Sequence, residues 1–321
     1  MSFTFNPCPE AEAADFWHRN STGTAFHNPE ILKHLSPNVD WWKLMKGDEM
    51  VLLWPVCSNN RGDVALPDFS YFVGPYWSDN AVARPPSSRY SDLLSGFGEI
   101  VPFLLREYRG LRFELSPMEI DVRFFSWWNF GQANKPKFHI EPRYTARIHD
   151  LSNLGDGDLM SSFRELRRRE IRRALASGEY EFDTRIEWKE VEALFRQVFE
   201  RQSDADVPRR LEALSRLLPL WEKGYLEAIG NRQASNGGLA SVAVLLRSKK
   251  ESHLILNATS SDCLKSGVGP KTIFDAIRFS RDYGSAVFDF NGANSPNRGG
   301  DKHSYGAESS LYFRLTYSGG K

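Results

Sequence analysis

The sequence predicts a mixed α/β protein of two domains, and three observations carry that expectation. The chain has 321 residues, more than one average domain needs. Apolar residues make up 41% and charged residues 26%, the balance of a globular chain and not of a disordered one. Apolar runs of strand type alternate with stretches of helical spacing, and both halves read as a β-hairpin, a helix and then a strand. The expected division is 1–143 and 144–321.

In chain order, Pro29 to Leu35 reads as a short helix. Trp41 to Leu44 and Met50 to Val56 read as paired strands around the turn Lys46-Gly47-Asp48. Asp68 to Trp77 is aromatic and contains Gly74-Pro75, which suggests a strand entering a loop. Ala81 to Ser88 is a Pro/Ser-rich connection. From Tyr90 to Tyr108 the residues Leu93, Leu94, Phe97, Ile100, Val101, Leu104 and Leu105 form one apolar helix face. Leu111 to Leu115, Phe138 to Ile140 and Tyr144 to Leu151 read as strands. Leu159 to Ser177 reads as one helix ended by Gly178, Trp188 to Gln202 as a second, and Leu211 to Lys223 as a third stopped by Gly224. After Gly237-Gly238, Ala240 to Arg247 has the β-branched character of a buried strand, and Ser252 to Ala258 that of its neighbour. Thr272 to Tyr283 is helical, Ala286 to Phe290 a strand, Asn291 to Lys302 a polar loop, and Leu311 to Tyr317 a last strand.

Composition narrows the function. Forty-one basic residues balance 41 acidic ones, which argues against a protein that grips nucleic acid by its phosphates. Three distant cysteines, Cys8, Cys57 and Cys263, form neither a metal-ligand spacing nor a disulfide framework, so no metal is expected. The N-terminus carries Glu10, Glu12 and Asp15 without an apolar segment, and the longest apolar run, near Met50 to Cys57, is too short to span a bilayer. The expectation is a cytoplasmic protein without membrane insertion.

The stretch from Leu239 to Asn291 carries the chemistry. A strand leads through a hairpin into Gly267-x-Gly269, which opens a helix that returns to a strand. Glycines at a helix start let a backbone approach a ligand, and the free N–H groups there favour anionic oxygens such as those of a pyrophosphate. Lys265 and Lys271 flank the loop. Pro270 suits a first helical turn because its missing N–H needs no partner. The other reading of the loop is a tight turn.

This order of elements resembles the coenzyme A-binding core of the GNAT acyltransferases. Leu264-x-x-Gly267-x-Gly269 is similar to the family's Gln/Arg-x-x-Gly-x-Gly/Ala loop, with its first polar residue replaced. Four further segments resemble the FemAB-like branch, whose members carry two GNAT folds in tandem: Asp289-Phe-Asn291-Gly292 followed by His303-Ser-Tyr305-Gly306-Ala, the Arg-rich run from Phe163 to Ala174, Phe199-Glu-Arg201-Gln202, and Tyr71-Phe-Val-Gly74-Pro75. The absence of a long coiled-coil insertion looks more like the members that use acyl-CoA to acylate amino sugars.

The resemblance implies two tandem GNAT-like domains, with the acyl-CoA site in the second. It implies a donor site at Val242, Val244, Lys265, Gly267, Val268, Gly269 and Lys271, with an oxyanion donor from a backbone N–H within Ser241 to Leu245. Asp289 is then a candidate base, Asn291 a candidate acceptor ligand, and Tyr305 a candidate acid toward the thiolate. The alternatives are a buried hydrogen-bonded Asp289, a turn-forming Asn291 and a packing Tyr305. Tyr71, Tyr76, Arg168, Arg201, Gln202 and Lys302 are candidate acceptor contacts, although core packing is the stronger reading for the tyrosines, a solvated loop the default for Lys302, and a salt-bridged face at least as good for Arg168. The implied activity is transfer from acyl-CoA to the amino group of a nucleotide-linked amino sugar for cell-surface glycans. The rivals are an aminoacyl-tRNA-dependent transferase acting on a peptidoglycan precursor and a non-catalytic binding module.

Overall fold

The computed structural model describes residues 2–201, 207–248 and 250–318. The chain divides into two compact units, Met1–Tyr144 with Leu311–Lys321, and Thr145–Ser310.

The first unit contains β1 (Phe3–Pro7), α1 (Glu10–Arg19), α2 (Pro29–Leu35), β2 (Val39–Lys46), β3 (Glu49–Cys57), β4 (Tyr76–Trp77), α3 (Asp79–Val82), α4 (Pro86–Glu107), β5 (Gly110–Leu115), α5 (Arg123–Ser126) and the start of β6 (His139–Ile148). Strands β1 to β4 make an antiparallel sheet in chain order. Seven consecutive residues of β3, Val51 to Cys57, are buried, so the strand is covered on both faces. The apolar stripe of α4 packs Phe97 and Ile100 into an aromatic core with Trp54, Phe113 and Phe125. Ring centroids there lie 4.8 Å apart for Trp54–Phe113 and for Phe97–Phe125, in the edge-on and tilted arrangements that aromatic pairs favour.

The second unit holds the end of β6, then α6 (Asp156–Ser162), α7 (Glu165–Ser177), β7 (Tyr180–Asp183), α8 (Trp188–Arg201), α9 (Val207–Ser215), α10 (Leu218–Glu222), β8 (Leu226–Gln233), β9 (Leu239–Ser248), β10 (Glu251–Thr259), α11 (Val268–Asp282), β11 (Val287–Asp289), α12 (Pro296–His303) and the start of β12 (Glu308–Ser318). Its strands run in the order β6-β11-β10-β9-β8-β7. Only β10 and β11 are parallel, because α11 carries the chain back over the sheet between them. Ile273, Phe274, Ala276 and Ile277 of α11 bury against Ala243, Leu245 and Phe288 of the sheet.

Several elements differ from the sequence expectation. The segment 311–318 pairs with β5 from Phe313↔Leu115 to Ser318↔Gly110, so it belongs to the first unit and not with the rest of 144–321. Of Asp68 to Trp77 only Tyr76–Trp77 is strand. Phe138 to Ile140 and Tyr144 to Leu151 form a single strand, β6. The helix expected over Leu159 to Ser177 breaks at Phe163-Arg164, where both residues are extended, and Leu211 to Lys223 divides into α9 and α10. The polar loop Asn291 to Lys302 contains α12, begun by Pro296 in its first turn.

Candidate active site

Strands β10 and β11 stay paired for three residues, from Glu251↔Val287 to His253↔Asp289. There β11 ends. Asn291 turns the chain away with φ 55°, a left-handed conformation that Asn tolerates better than most residues. Strand β10 continues to Thr259 and, among the described residues, has a strand partner only on its β9 side from Leu254 onward. A gap therefore opens along the outer edge of β10, where no strand of the described residues pairs with it from Leu254 onward. The start of α11 lies beyond the end of that strand.

A buried polar network holds the base of the gap. Asp289 is fully buried. Its Oδ1 accepts from Thr145 Oγ1 and from the Asn291 N–H (2.7 Å), and its Oδ2 accepts from Arg147 Nε (2.8 Å). Arg147 also reaches Glu251 Oε1 at 3.1 Å, and His253 Nε2 lies 3.3 Å from Glu251 Oε2. Burial alone would raise the Glu251 carboxyl, but the bond to His253 and the charge of Arg147 outweigh it and hold the group at about 2. The Asn291 amide is used on both sides, Oδ1 against His253 Nδ1 (3.1 Å) and Nδ2 donating to the Leu254 carbonyl (2.9 Å). Lys302 donates to the carbonyls of Asn291 and Gly292, the latter at 2.7 Å, and burial lowers its ammonium to about 8.

The glycine loop is built as a left-handed turn. Gly267 caps α11 with φ 91°. A Cβ there would lie 2.5 Å from the Glu170 carbonyl oxygen of α7, so close helix packing already requires glycine. A Cβ at Gly269 would meet Thr259 Oγ1 at 2.8 Å, a side-chain atom at the end of β10. Val268 is buried with Ala240 and Cys263, and its N–H turns to Ser266 Oγ at 3.2 Å. Pro270 has no N–H, and the Lys271 N–H bonds the Gly267 carbonyl. The Gly267 and Gly269 amides are thus the donors the first turn offers an anion. Lys265 is exposed and makes no ion pair among the described residues, while its carbonyl anchors Arg173 (2.6 Å). Leu264, in place of the polar loop residue, is exposed.

Several expected roles change with these positions. Lys271 does not flank a ligand: it is buried, donating to Asn231 Oδ1 and to Asp275 Oδ2 (2.8 Å). Val242 and Val244 lie on β9, whose backbone pairs with β8 on one side and β10 on the other, so the strand with an open edge is β10. Both oxygens of Asp289 and both ends of the Asn291 amide are taken, so neither side chain is presented to an acceptor. Tyr305 is buried between Phe290 and Phe163 under the Arg167 guanidinium, and burial raises its phenol, which disfavours proton donation. Lys302 holds a loop and not a phosphate. Tyr76 is buried against His27 (4.3 Å) and Phe16, and half-buried Tyr71 packs on Phe26. Arg168 bonds the Ser161 carbonyl (3.0 Å), Arg201 ends α8 exposed, and Gln202 lies outside the described residues. The sequence reading missed Thr145, Arg147, Glu251 and His253. The alternation of β6, with Thr145 and Arg147 two residues apart on one face, was the signal available for half of them.

Residues 161–301 match the family model described as an acetyltransferase (GNAT) domain. No curated protein matches the chain by sequence. Among solved structures the chain is similar to FemX, at 12% identity and TM-score 0.67, over 97% of this chain and 96% of that one. It is also similar to a tandem GNAT protein from the clavulanic acid biosynthesis pathway, at 10% identity and TM-score 0.55 over the whole of both chains. A third likeness is to the C-terminal domain of a putative lysylphosphatidylglycerol synthetase from Agrobacterium fabrum, at 13% identity and TM-score 0.52, covering 97% and 93%. The fold is therefore mixed α/β with two GNAT-like units in tandem, and the domain match supports an acyltransferase. Among the described residues no helix is long and apolar enough to cross a membrane, and no group of three or more His, Cys, Asp or Glu is placed to hold a metal ion.

Proposed function

We propose that the chain is an N-acyltransferase that takes its acyl group from acyl-coenzyme A, laid along the outer edge of β10 with its pyrophosphate at the start of α11. The observation that carries this reading is the parting of β10 and β11 after His253 and Asp289. It leaves a strand edge whose backbone N–H groups can pair with an amide-rich pantetheine arm and, at one position, with the oxyanion of the reacting thioester. The Gly267 and Gly269 amides and the exposed Lys265 suit the pyrophosphate.

In the reaction the lone pair of a neutral amine attacks the thioester carbonyl carbon. A C–N bond forms, the C–S bond breaks, and the amine proton leaves through solvent while the thiolate is protonated. No side chain of the Asp289 network acts in these steps. Its work is to fix where β11 ends and so to hold the gap open.

The acceptor we propose is the amino group of a nucleotide-linked amino sugar, a choice that rests on the resemblance in sequence to the acyl-CoA-using branch. A second reading, transfer of an aminoacyl group, is kept by the likeness to a lysylphosphatidylglycerol synthetase. Thiol release from a panel of acyl-CoAs with amino sugars and their nucleotide conjugates tests the first. Release that depends on an amino sugar is expected. Donor binding without release for any acceptor sinks the enzyme reading and leaves a binding module, and acylation that requires charged tRNA replaces acyl-CoA transfer with the second.

A further inference from the structure

The first unit repeats the arrangement of the donor site with different chemistry. In it β4, a connection that contains the short α3, helix α4 and β5 follow one another much as β10, a loop, α11 and β11 do in the second. The chain ahead of β4 runs beside β5, where the Glu114 N–H bonds the Val73 carbonyl (3.1 Å), and then β4 leaves to pair with β3. Where the two segments part there is a cavity of about 370 Å³. It is lined by Trp77 at the end of β4, by the end of α3 and the start of α4, and by the return segment Met118–Arg123 after β5. Three of the eleven large apolar side chains left exposed among the described residues, Val82, Met118 and Ile120, line this one cavity.

The cavity is not made for a pyrophosphate. Helix α4 begins Pro85-Pro86, so the residues that correspond to an anion-cradling turn carry no N–H. The charged lining is instead three acids, Asp92, Glu119 and Asp121, beside Arg89 and Arg123. Asp92 is neutralised by Lys46 (2.6 Å) and Arg84 (2.5 Å), and Asp121 by Arg123 (2.5 Å). Arg89 is exposed at the rim. That leaves half-buried Glu119, whose Oε1 accepts from the Asp121 N–H at 3.1 Å and whose second oxygen has no hydrogen-bond donor among the described residues.

We infer that this cavity is a second binding site, for a small organic amine with an apolar body, whose ammonium pairs with Glu119 while the body lies among Trp77, Val82, Leu93 and Ile120. A carboxylate held against apolar surface is stabilised by a bound cation. Burial, helped by the charge of Asp121, pushes the Glu119 carboxyl up to about 7 against the Asp121 N–H bond and the charge of Arg89, so an arriving ammonium ionises the acid and expels its proton. The inference does not depend on the donor site in the second unit.

Calorimetric titration of the full chain with phenethylamine, its uncharged analogue 2-phenylethanol and the anion phenylacetate tests it. Saturable binding of the amine is expected, about tenfold tighter than the alcohol, with proton release at neutral pH read from buffers of different ionisation enthalpy. Glu119→Gln should weaken the amine about tenfold, abolish the proton release and leave the alcohol unchanged. Ile120→Trp, at the exposed mouth, should weaken amine and alcohol together. Thermal melts of both variants establish that they fold. No saturable amine binding, equal amine affinity in Glu119→Gln, or phenylacetate binding as well as phenethylamine would each overturn the assignment.

Discussion

The Arg147 guanidinium donates through Nε to Asp289 Oδ2 at 2.8 Å, joining β6 to the last residue of β11. Both groups are buried, so neither can be repaid by water if the other is lost. Breaking such a pair by removing one charge costs about 3–5 kcal/mol, more than a catalytic role would show in a melt. Asp289→Asn should therefore lower the unfolding midpoint strongly and weaken donor binding, with turnover per bound donor little changed. Equilibrium unfolding alongside donor affinity and turnover checks this. A variant of native stability and native donor affinity that has lost turnover would return Asp289 to the chemistry.

The two loop glycines should separate packing from ligand binding. Gly267 has φ 91° and faces the fixed backbone of Glu170, so Gly267→Ala should cost about 1–3 kcal/mol from conformation alone, and more from the contact. Gly269 faces the Thr259 hydroxyl, which can rotate. Gly269→Ala should leave the melting temperature near that of the parent and raise the donor dissociation constant. Loss of stability at Gly269 with unchanged donor affinity would contradict the role given to its amide.

Much of this fold is legible in the sequence where apolar period decides it. β3 and β9 are continuous apolar runs, and α4 and α11 carry helical stripes, so burial and pattern agree. The break at Phe163-Arg164 is hidden because Leu159, Phe163 and Ile171 all reach one core whether or not the helix is continuous. β7 is short and partly exposed at the sheet edge, and α12 holds two glycines, so neither announces itself. For the site, the pattern locates Asp289 and Asn291 at the end of a strand. It does not give their roles, because Thr145 and Arg147 lie 144 and 142 residues away and only the sheet order brings them together.

Glu251 makes the network acid-sensitive. Its folded value is about 2 against an ordinary 4.5. A depressed carboxylate contributes stability that is present above the unfolded value and is lost as pH falls through the folded one. The window runs from pH 4.5 down to 2, and the loss across it is ~3 kcal/mol. Glu251→Gln should start less stable at pH 7 and fall less steeply through that window. Urea unfolding at a series of pH values reads both slopes, and parallel curves would show that Glu251 is not held by His253 and Arg147.

The two lysines of the loop should behave oppositely. Lys271 is buried against Asp275 and Asn231, with the Asn231 amide bridging to Thr272 (2.9 Å) and Asp275 (3.0 Å). Lys271→Met removes the nearest cation from a buried carboxylate, and among the described residues only Arg278, 3.9 Å from its other oxygen, remains as an ion-pair partner. The expected cost is about 3 kcal/mol of stability, with donor affinity of the folded fraction preserved. Lys265 is exposed, so Lys265→Ala should leave the melt unchanged and weaken the donor about threefold, an effect that fades as salt rises. Donor titrations at two ionic strengths, set beside thermal melts, distinguish the pair. If Lys271→Met instead loses donor affinity at full stability, the ammonium has left Asp275 for the donor phosphates, and the assignment of the two residues reverses.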